Sequence, residues 1–344
     1  MTVVRNTMKA IGFTESLAVT QNNSLIEFEA DYPIMGPYDV IVKVSSVSIN
    51  PADAKVRIRS AQETVLETPR VLGYDAVGTI VGVGERVSKF QLKDRVYYAG
   101  DVSRSGSNAE YQAVDSRVIA IAPRSFTDAE AASLPLISLT GWEALFDRLR
   151  ISPTEQGKSI LIIGGAGGVG SITTQIAKQL TNLTVITTAS RPESIEWSKK
   201  MGADYVANHH DLIKSVRDLG FEHVDYIFNV ADTIGHWDAM VELISPQGMI
   251  CSIVEFDGGI DLTKLQGKSV GFFWELMFTR TLFNTSDIES QGSILQKVAN
   301  LVDSGRIKNV VTEELSGFDV ETLILAHEKI ESGKTLGKIV INFK

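Results

Sequence analysis

Three glycines, Gly165, Gly167 and Gly170, follow an apolar run and precede a segment of helical pattern, Ser171–Leu180. The spacing G-x-G-x-x-G between a strand and a helix is typical of a turn that binds the pyrophosphate of a dinucleotide. Main-chain N–H groups and the start of the helix attract the negative charge of the phosphates. We therefore predict a dinucleotide site whose contacts come from Gly165, Ala166, Gly167, Gly168, Val169 and Gly170.

The residues at the end of the next predicted strand indicate which dinucleotide binds. An Asp or Glu about twenty residues after the turn would hold a ribose 2′-hydroxyl, but this chain has Ser190 and Arg191 there. A hydroxyl and a guanidinium suit a 2′-phosphate, so the expected cofactor is NADPH. The alternative is a solvated loop in which Ser190 caps the helix that starts at Pro192. Asn229, Val230 and Ile253 end the following strands, and we expect them to contact the cofactor.

Composition narrows the class of protein further. The chain has 344 residues, of which 44% are hydrophobic, a net charge of −9 and one cysteine, Cys251. The acidic balance argues against nucleic acid as a partner, and one cysteine excludes both a disulfide framework and a cysteine-built zinc site within the chain. Met1–Thr7 lack the apolar core of a signal peptide and are predicted to be a loose extension. The apolar cluster Gly271–Phe278 is short and contains Glu275, so we expect no membrane segment and a cytoplasmic protein.

The order of predicted elements indicates an α/β protein of two domains. Short β runs separated by turn residues fill the first third and suggest a mainly β domain. Strands and helices then alternate from Ser159 onward, which is typical of a doubly wound parallel sheet of the Rossmann type. We assign residues 1–129 and 286–344 to the mainly β catalytic domain and residues 130–285 to the NADPH-binding domain. The tail is expected to return to the first domain and to end in a strand, Lys338–Phe343.

Several stretches resemble the medium-chain dehydrogenase/reductases, and among them the quinone oxidoreductase branch. They are Val47–Asp53, Leu72–Gly78, Leu134-Pro135, Leu139–Trp142, the glycine turn and Leu336–Val340. The resemblance covers nearly the whole chain and includes relatives that are named zinc-type alcohol dehydrogenase-like. It implies a chaperonin-10-like (GroES-like) first domain and a homodimer. It also implies cofactor contacts from Thr140, from Lys338 and from His209, where relatives often have a tyrosine at the 2′-phosphate.

The same resemblance predicts that this chain lacks zinc. Zinc-dependent relatives have a cysteine at the position of Asn50 and a Gly-His-Glu motif at Gly73-Tyr74-Asp75. All five histidines lie in the second half of the chain, away from these positions: His209, His210, His223, His236 and His327. Because zinc needs three or four converging ligands, we expect no metal site, and the adjacent pair His209-His210 is not expected to form one.

Asn50 and Tyr74 are the predicted catalytic residues. The Asn50 amide would donate a hydrogen bond to cofactor or substrate oxygen, or it would merely cap a turn at Pro51. The Tyr74 phenol would give a proton to the product oxygen, or it would only pack. For Thr140 the alternative is a helix N-cap, and for Lys338 it is a position beside an edge strand. Asp53 is expected to orient neighbours or cap a turn, with Arg57 paired to it at helical spacing.

Together these observations predict an NADPH-dependent reductase that transfers hydride to a quinone or an α,β-unsaturated carbonyl without a metal. Such acceptors spread the developing charge through a conjugated system, whereas a simple ketone needs a Lewis acid or a proton donor at one oxygen. One alternative is an NADP-dependent alcohol dehydrogenase or carbonyl reductase that uses zinc. Another is a non-catalytic nucleotide-binding protein with a crystallin-like or RNA-binding role.

Overall fold

A computed structural model describes residues 6–343, which form two compact units. Unit 1 comprises residues 6–136, 278–305 and 309–343, and unit 2 comprises residues 137–277 and 306–308. The strands are β1 (Thr7–Phe13), β2 (Ile26–Asp31), β3 (Asp39–Ser48), β4 (Arg70–Val71), β5 (Ala76–Val83), β6 (Arg95–Tyr98), β7 (Tyr111–Asp115), β8 (Ala120–Ile121), β9 (Ser159–Ile163), β10 (Thr184–Thr188), β11 (Tyr205–Ala207), β12 (Val224–Asn229), β13 (Ile244–Ser252), β14 (Gly271–Trp274), β15 (Val311–Ser316) and β16 (Lys338–Asn342).

The α-helices are α1 (Pro51–Arg59), α2 (Asp128–Ala132), α3 (Pro135–Trp142), α4 (Gly168–Leu180), α5 (Pro192–Lys200), α6 (Leu212–Asp218), α7 (Trp237–Leu243), α8 (Thr279–Leu282), α9 (Ser290–Asp303) and α10 (Val320–Glu331). A π-helical segment, Glu143–Arg148, continues α3. Thr7 is the first residue of β1, and the rest of the predicted extension Met1–Thr7, apart from Asn6, lies outside the described residues. Within the described residues, no helix is long and apolar enough to cross a membrane.

Unit 1 is built mainly from antiparallel strands. Its larger sheet has the order β15-β16-β3-β5-β6-β8, with β7 also paired to β3, and a smaller sheet has the order β2-β1-β4. Strand β16 pairs antiparallel with β3, Val340 opposite Ser48, so the end of the chain completes this unit. Strand β15 was missed from sequence because its alternating burial resembles that of a solvated loop. A 3₁₀ turn, Ser116–Val118, follows β7 directly.

Unit 2 contains a six-stranded parallel sheet of order β11-β10-β9-β12-β13-β14. This is the doubly wound order in which nucleotides bind at the carboxyl ends of the strands. All five residues of β9 are buried because helices cover both faces of such a sheet. The core on one face includes Leu161, Ile186 and Ile227. The predicted α/β class with a Rossmann-type sheet is confirmed.

Candidate functional site

The glycine turn connects β9 to α4 in unit 2, and at two of its glycines the surrounding protein leaves no room for a side chain. A Cβ on Gly165 would lie 2.4 Å from the Thr187 Cβ, and one on Gly170 would lie 2.4 Å from the Gly164 carbonyl oxygen. Both distances are far below van der Waals contact, so neither position accepts a side chain. The Thr188 hydroxyl accepts a 2.9 Å hydrogen bond from the Gly164 N–H and fixes the start of the turn.

Gly167 differs because the protein leaves the space beside it open. A Cβ at this position would meet only the Gly164 oxygen, at 3.7 Å, which is an ordinary contact. Gly167 is the N-cap of α4, so the N–H groups of Gly168, Val169 and Gly170 have no carbonyl partner within the helix. Ala166 through Val169 are half-exposed. An open glycine next to free N–H groups at a helix start fits a pyrophosphate.

The three residues at the ends of β12 and β13 that are predicted to contact the cofactor form hydrogen bonds within unit 2. The buried Asn229 amide donates 3.0 Å hydrogen bonds to the Thr233 and Ser252 hydroxyls. The Val230 N–H bonds the Ile163 carbonyl, and the Ile253 N–H bonds that of Asn229. Contact with a cofactor is therefore left to the half-buried side chains of Val230 and Ile253 and to backbone carbonyls.

Ser190 and Arg191 follow β10 at the carboxyl edge of the sheet. Arg191, with its side chain 44% exposed, is the N-cap of α5 and lies 3.3 Å from the Glu193 carboxylate. The alternative that Ser190 caps this helix is wrong, since the cap is one residue later. Lys199 and Lys200 lie exposed in the last turn of α5.

His209 lies after β11, and its ring centroid is 4.2 Å from that of His210 and 6.4 Å from that of His236. Burial, together with its two histidine neighbours, lowers the pKa of His209. Among residues 6–343 there is no group of three or more His, Cys, Asp or Glu side chains placed to hold a metal ion. Thr140 lies inside α3 and is buried, so its alternative role as a helix N-cap is wrong.

In unit 1 a buried network joins Asn50, Asp75 and Lys338. The Lys338 ammonium donates to Asn50 Oδ1 (2.5 Å), to Asp75 Oδ2 (3.1 Å) and to the Ile49 carbonyl (2.9 Å). The Asn50 amide donates to the same Asp75 oxygen at 2.8 Å. The second Asp75 oxygen accepts from the Leu136 N–H at 2.7 Å. All three side chains are at most 3% exposed, so the network fixes the Asn50 amide from both ends.

This network also decides what Lys338 does within unit 1. Its strand, β16, lies between β15 and β3, so the alternative that Lys338 flanks an edge strand is wrong. Its ammonium instead compensates the Asp75 carboxylate, which is completely buried. Burial raises the pKa of Asp75, while the Lys338 charge and the bonds from Leu136 and Asn50 lower it.

Asp53 supports the same region from α1. Its carboxylate accepts from the Asn50 N–H (2.9 Å) and from the Gly73 N–H (3.0 Å), so it both caps the helix and orients its neighbours. Burial raises the pKa of Asp53 to about 7. The predicted Asp53–Arg57 pair is wrong. Arg57 points away, contacts Glu331 at 2.5 Å and donates to the Leu17 carbonyl, because α10 packs against α1.

Tyr74 precedes Asp75 in the chain and is 1% exposed. Its ring packs edge-on against Phe278 with centroids 5.2 Å apart, whereas its hydroxyl has no hydrogen-bond partner among the described residues. Burial raises the pKa of the phenol, the nearby Asp53 adds to the increase, and the Arg70 guanidinium opposes it. A buried hydroxyl without a partner is unusual and is a candidate donor to a ligand.

Unit 2 contains a second buried charged cluster that was not predicted from sequence. Arg148 lies 2.7 Å from the Glu275 carboxylate and 4.0 Å from that of Glu143, and both glutamates are almost completely buried. Burial and the neighbouring Glu143 raise the pKa of Glu275 to about 9. The acid in the apolar run Gly271–Phe278 was the available signal for this cluster. Cys251 is buried, and burial raises its pKa.

Comparison with known families and structures agrees with this architecture. Residues 36–124 match the alcohol dehydrogenase GroES-like domain, and residues 201–341 match the zinc-binding dehydrogenase family. A zinc-type alcohol dehydrogenase-like protein of Staphylococcus epidermidis is 46% identical over 98% of this chain and all of its own length. The chain belongs to the medium-chain dehydrogenase/reductase superfamily and is an oxidoreductase of that family.

Within the superfamily, the chain is similar to proteins that are named for several different activities. The 2-methylene-furan-3-one reductase of Solanum lycopersicum is 30% identical over 97% of this chain and 79% of its own. A crystal structure from Rhizobium etli, described as a putative zinc-dependent alcohol dehydrogenase, is 42% identical, with a TM-score of 0.94 over 98% of both chains. A mycobacterial structure complexed with NADPH is 26% identical, with a TM-score of 0.82 over 97% of this chain and 99% of its own.

Proposed function

We propose that this protein is an NADPH-dependent reductase of quinones or α,β-unsaturated carbonyls that works without a metal. The observation that carries the proposal is the network of Asn50, Asp75 and Lys338. At positions where zinc-dependent relatives place metal ligands, this chain has an amide and a phenol, and an ammonium satisfies the adjacent carboxylate. Such a donor set does not suit zinc, which prefers thiolate, imidazole and carboxylate ligands. The enone-reductase and NADPH-bound relatives support the same reaction class.

The glycine turn supports the cofactor half of the proposal. NADPH would bind with its pyrophosphate at Gly167 and the α4 N-terminus, and when bound it supplies the hydride. Ser190 and Arg191 would hold its 2′-phosphate, and Arg191 would exchange its exposed partner Glu193 for the phosphate. Thr140, Val230 and Ile253 remain proposed contacts, as does Lys338.

Tyr74 is the proposed proton source. When a hydride adds to the acceptor, an electron pair moves to its oxygen, and the Tyr74 hydroxyl gives that oxygen a proton. Solvent then returns a proton to the phenolate, so one NADPH and one proton are used for each acceptor reduced. The Asn50 amide is held by Asp75 and Lys338, so its proposed contribution is to fix the position of neighbouring groups rather than to swing toward a substrate.

The test is an NADPH-oxidation assay of the purified chain with small quinones, enones and saturated ketones, with and without a chelator. We expect turnover of the conjugated acceptors, undiminished by the chelator, and little turnover of saturated ketones. In Tyr74→Phe we expect kcat to fall by about a hundredfold, in the usual range for loss of a general acid. Zinc-dependent turnover of saturated ketones, or NADPH binding without turnover of any acceptor, would contradict the proposal.

We also propose a homodimer, as the resemblance implies. Strand β14 lies at the edge of its sheet, where backbone groups stay available for pairing with a second copy. Trp274 on this strand is 48% exposed, and Leu276 just after it is 52% exposed. Large apolar side chains exposed together at a sheet edge are typical of a surface that contacts another protein. Sedimentation of the purified chain measures the oligomeric state directly, and a monomer at micromolar concentration would refute the proposed homodimer.

A further inference from the structure

We propose that His209, His210 and His236 form a proton-coupled site for the ribose 2′-phosphate of the cofactor, which takes up protons as the phosphate binds. The inference rests on the proposed use of NADPH. It goes further by assigning recognition of the phosphomonoester to a histidine cluster and by making cofactor preference depend on pH. The ligand chemistry is that of a phosphate dianion on a sugar hydroxyl.

The backbone places this cluster beside Ser190 and Arg191. Strands β10 and β11 are parallel neighbours, and the Ala189 N–H bonds the Ala207 carbonyl just beyond them. One residue after Ala189 comes Ser190, and two residues after Ala207 comes His209. Both segments therefore leave the sheet side by side at its carboxyl edge, the edge where nucleotides bind in such sheets.

A third chain segment reaches the same place. The loop after β12 leads to α7, and within it the His236 N–H donates a hydrogen bond to the Asp232 carbonyl. The centroid of the His236 ring lies 6.4 Å from that of His209, and the two rings are nearly perpendicular. The centroid of the His210 ring lies 4.2 Å from that of His209. Three imidazoles from two loops thus converge without a metal-binding geometry among the described residues.

The cluster is poised to gain charge rather than already charged. Burial and the two neighbouring rings lower the pKa of His209, and burial lowers that of His236 although the Asp232 carboxylate opposes this. The other charged groups on these segments are Asp211 after the histidine pair and Arg191 at the end of β10, which is paired with Glu193. Neutral His209 and His236 side chains leave the free site with little positive charge beyond that arginine at neutral pH.

A phosphate dianion next to these rings would favour their charged form and raise their pKa values. Binding then takes up protons, so affinity for the 2′-phosphate increases as pH falls between the pKa values of the bound and free states. A dinucleotide without the phosphate lacks this dependence. The ratio of NADPH to NADH affinity is therefore expected to rise as pH falls from 8 toward 6.5.

The test uses 2′,5′-ADP and 5′-ADP as probes of the full chain. Isothermal titration at pH 6.5 and 8.0, in buffers of different ionisation enthalpy, gives both affinity and proton uptake. Each proton taken up can change affinity by at most about tenfold per pH unit, and we expect about three- to tenfold tighter binding of 2′,5′-ADP at pH 6.5. This pH range stays above the second phosphate ionisation, near pH 6, so the phosphate remains mostly a dianion. For 5′-ADP we expect much weaker pH dependence.

The double variant His209→Gln/His236→Gln should abolish the proton uptake and the pH dependence of 2′,5′-ADP binding. The matched control is His223→Gln, because His223 precedes β12 and lies at the opposite, amino edge of the sheet. A thermal melt of each variant checks folding. Binding of 2′,5′-ADP by the wild type without proton uptake, or an unchanged pH dependence in the double variant, would overturn the histidine inference alone. Absence of NADPH binding would overturn the proposed cofactor and this inference with it.

Discussion

The buried network of unit 1 and the glycine turn of unit 2 use polar groups in opposite ways. In unit 1, Asn50, Asp75 and Lys338 bond to one another and to backbone, and they are withdrawn from solvent. In unit 2, Gly167 caps the start of α4, and a side chain at this position would meet only the Gly164 oxygen, at 3.7 Å. The first arrangement satisfies its own polar groups, and the second is the proposed binding site of a dinucleotide.

This difference indicates how the proposed metal-free site would be built in a chain that matches the zinc-binding dehydrogenase family. A cation bound between ligands can be replaced by an ammonium that belongs to the chain, because either one compensates a buried carboxylate. The replacement holds its neighbours in place but offers no vacant coordination position for a substrate oxygen. Under the proposed function, activation of the substrate would then come from conjugation in the acceptor and from the Tyr74 proton.

The largest expected effect comes from breaking the network of unit 1. Lys338→Met would leave the Asp75 carboxylate buried without its cation, which typically costs about 3–5 kcal/mol of unfolding free energy. Urea unfolding followed by circular dichroism measures it. The double variant Lys338→Met/Asp75→Asn should regain much of the loss because no unpaired charge remains. Equal losses in the single and double variants would show that Lys338 acts by packing rather than by charge.

The next effect separates the two kinds of glycine in the turn of unit 2. Gly170→Ala places a Cβ against the backbone of Gly164 and Gly165, and overpacking of this kind typically costs about 1–3 kcal/mol. Gly167→Ala meets no such obstacle, and its backbone φ of −75° suits alanine. We expect its stability to change by less than about 0.5 kcal/mol.

The informative measurement on Gly167→Ala is NADPH affinity by fluorescence titration. We expect it to weaken by about tenfold or more, because the new methyl group occupies the path by which the phosphates approach the backbone. Unchanged affinity in this variant, with folding intact, would contradict the assignment of the pyrophosphate to the turn.

The last effect concerns the second charged cluster, in unit 2, and depends on pH. Burial and the neighbouring Glu143 raise the pKa of Glu275 to about 9 in the folded protein, whereas the pKa of a glutamate in the unfolded chain is near 4.3. The folded state therefore binds more protons in this interval, and this group makes stability fall as pH rises, by at most about 1.4 kcal/mol per pH unit.

Glu275→Gln imitates the protonated acid and removes that contribution. The melting temperature of the variant relative to wild type should therefore increase from pH 5.5 to pH 8.5. Glu331→Gln serves as a control, since its carboxylate belongs to the separate pair with Arg57 in unit 1. If the difference in melting temperature between Glu275→Gln and wild type does not change with pH, Glu275 does not have a raised pKa in its cluster with Glu143 and Arg148.

Local patterns predicted much of the fold because the relevant forces act over short stretches. The alternation of strands and helices after Ser159 and the glycine spacing required only neighbouring residues, and both appear in unit 2 as expected. Strand β15 was missed because an exposed strand with alternating burial lacks the continuous apolar run of a buried one. Arg57 was paired with the wrong acid because helical spacing says nothing about Glu331, which approaches from another helix.

The family, the parallel sheet and the position of the glycine turn follow from the sequence alone. The family resemblance also predicts that Asn50 and Tyr74 stand at zinc-ligand positions, because residue identity at a motif position needs no coordinates. Only the tertiary structure decided what satisfies Asp75: Lys338 lies 263 residues away in the chain and reaches it through the pairing of β16 with β3. Partners at such separation are selected by burial and strand pairing, since a buried charge must find a partner wherever the fold brings one.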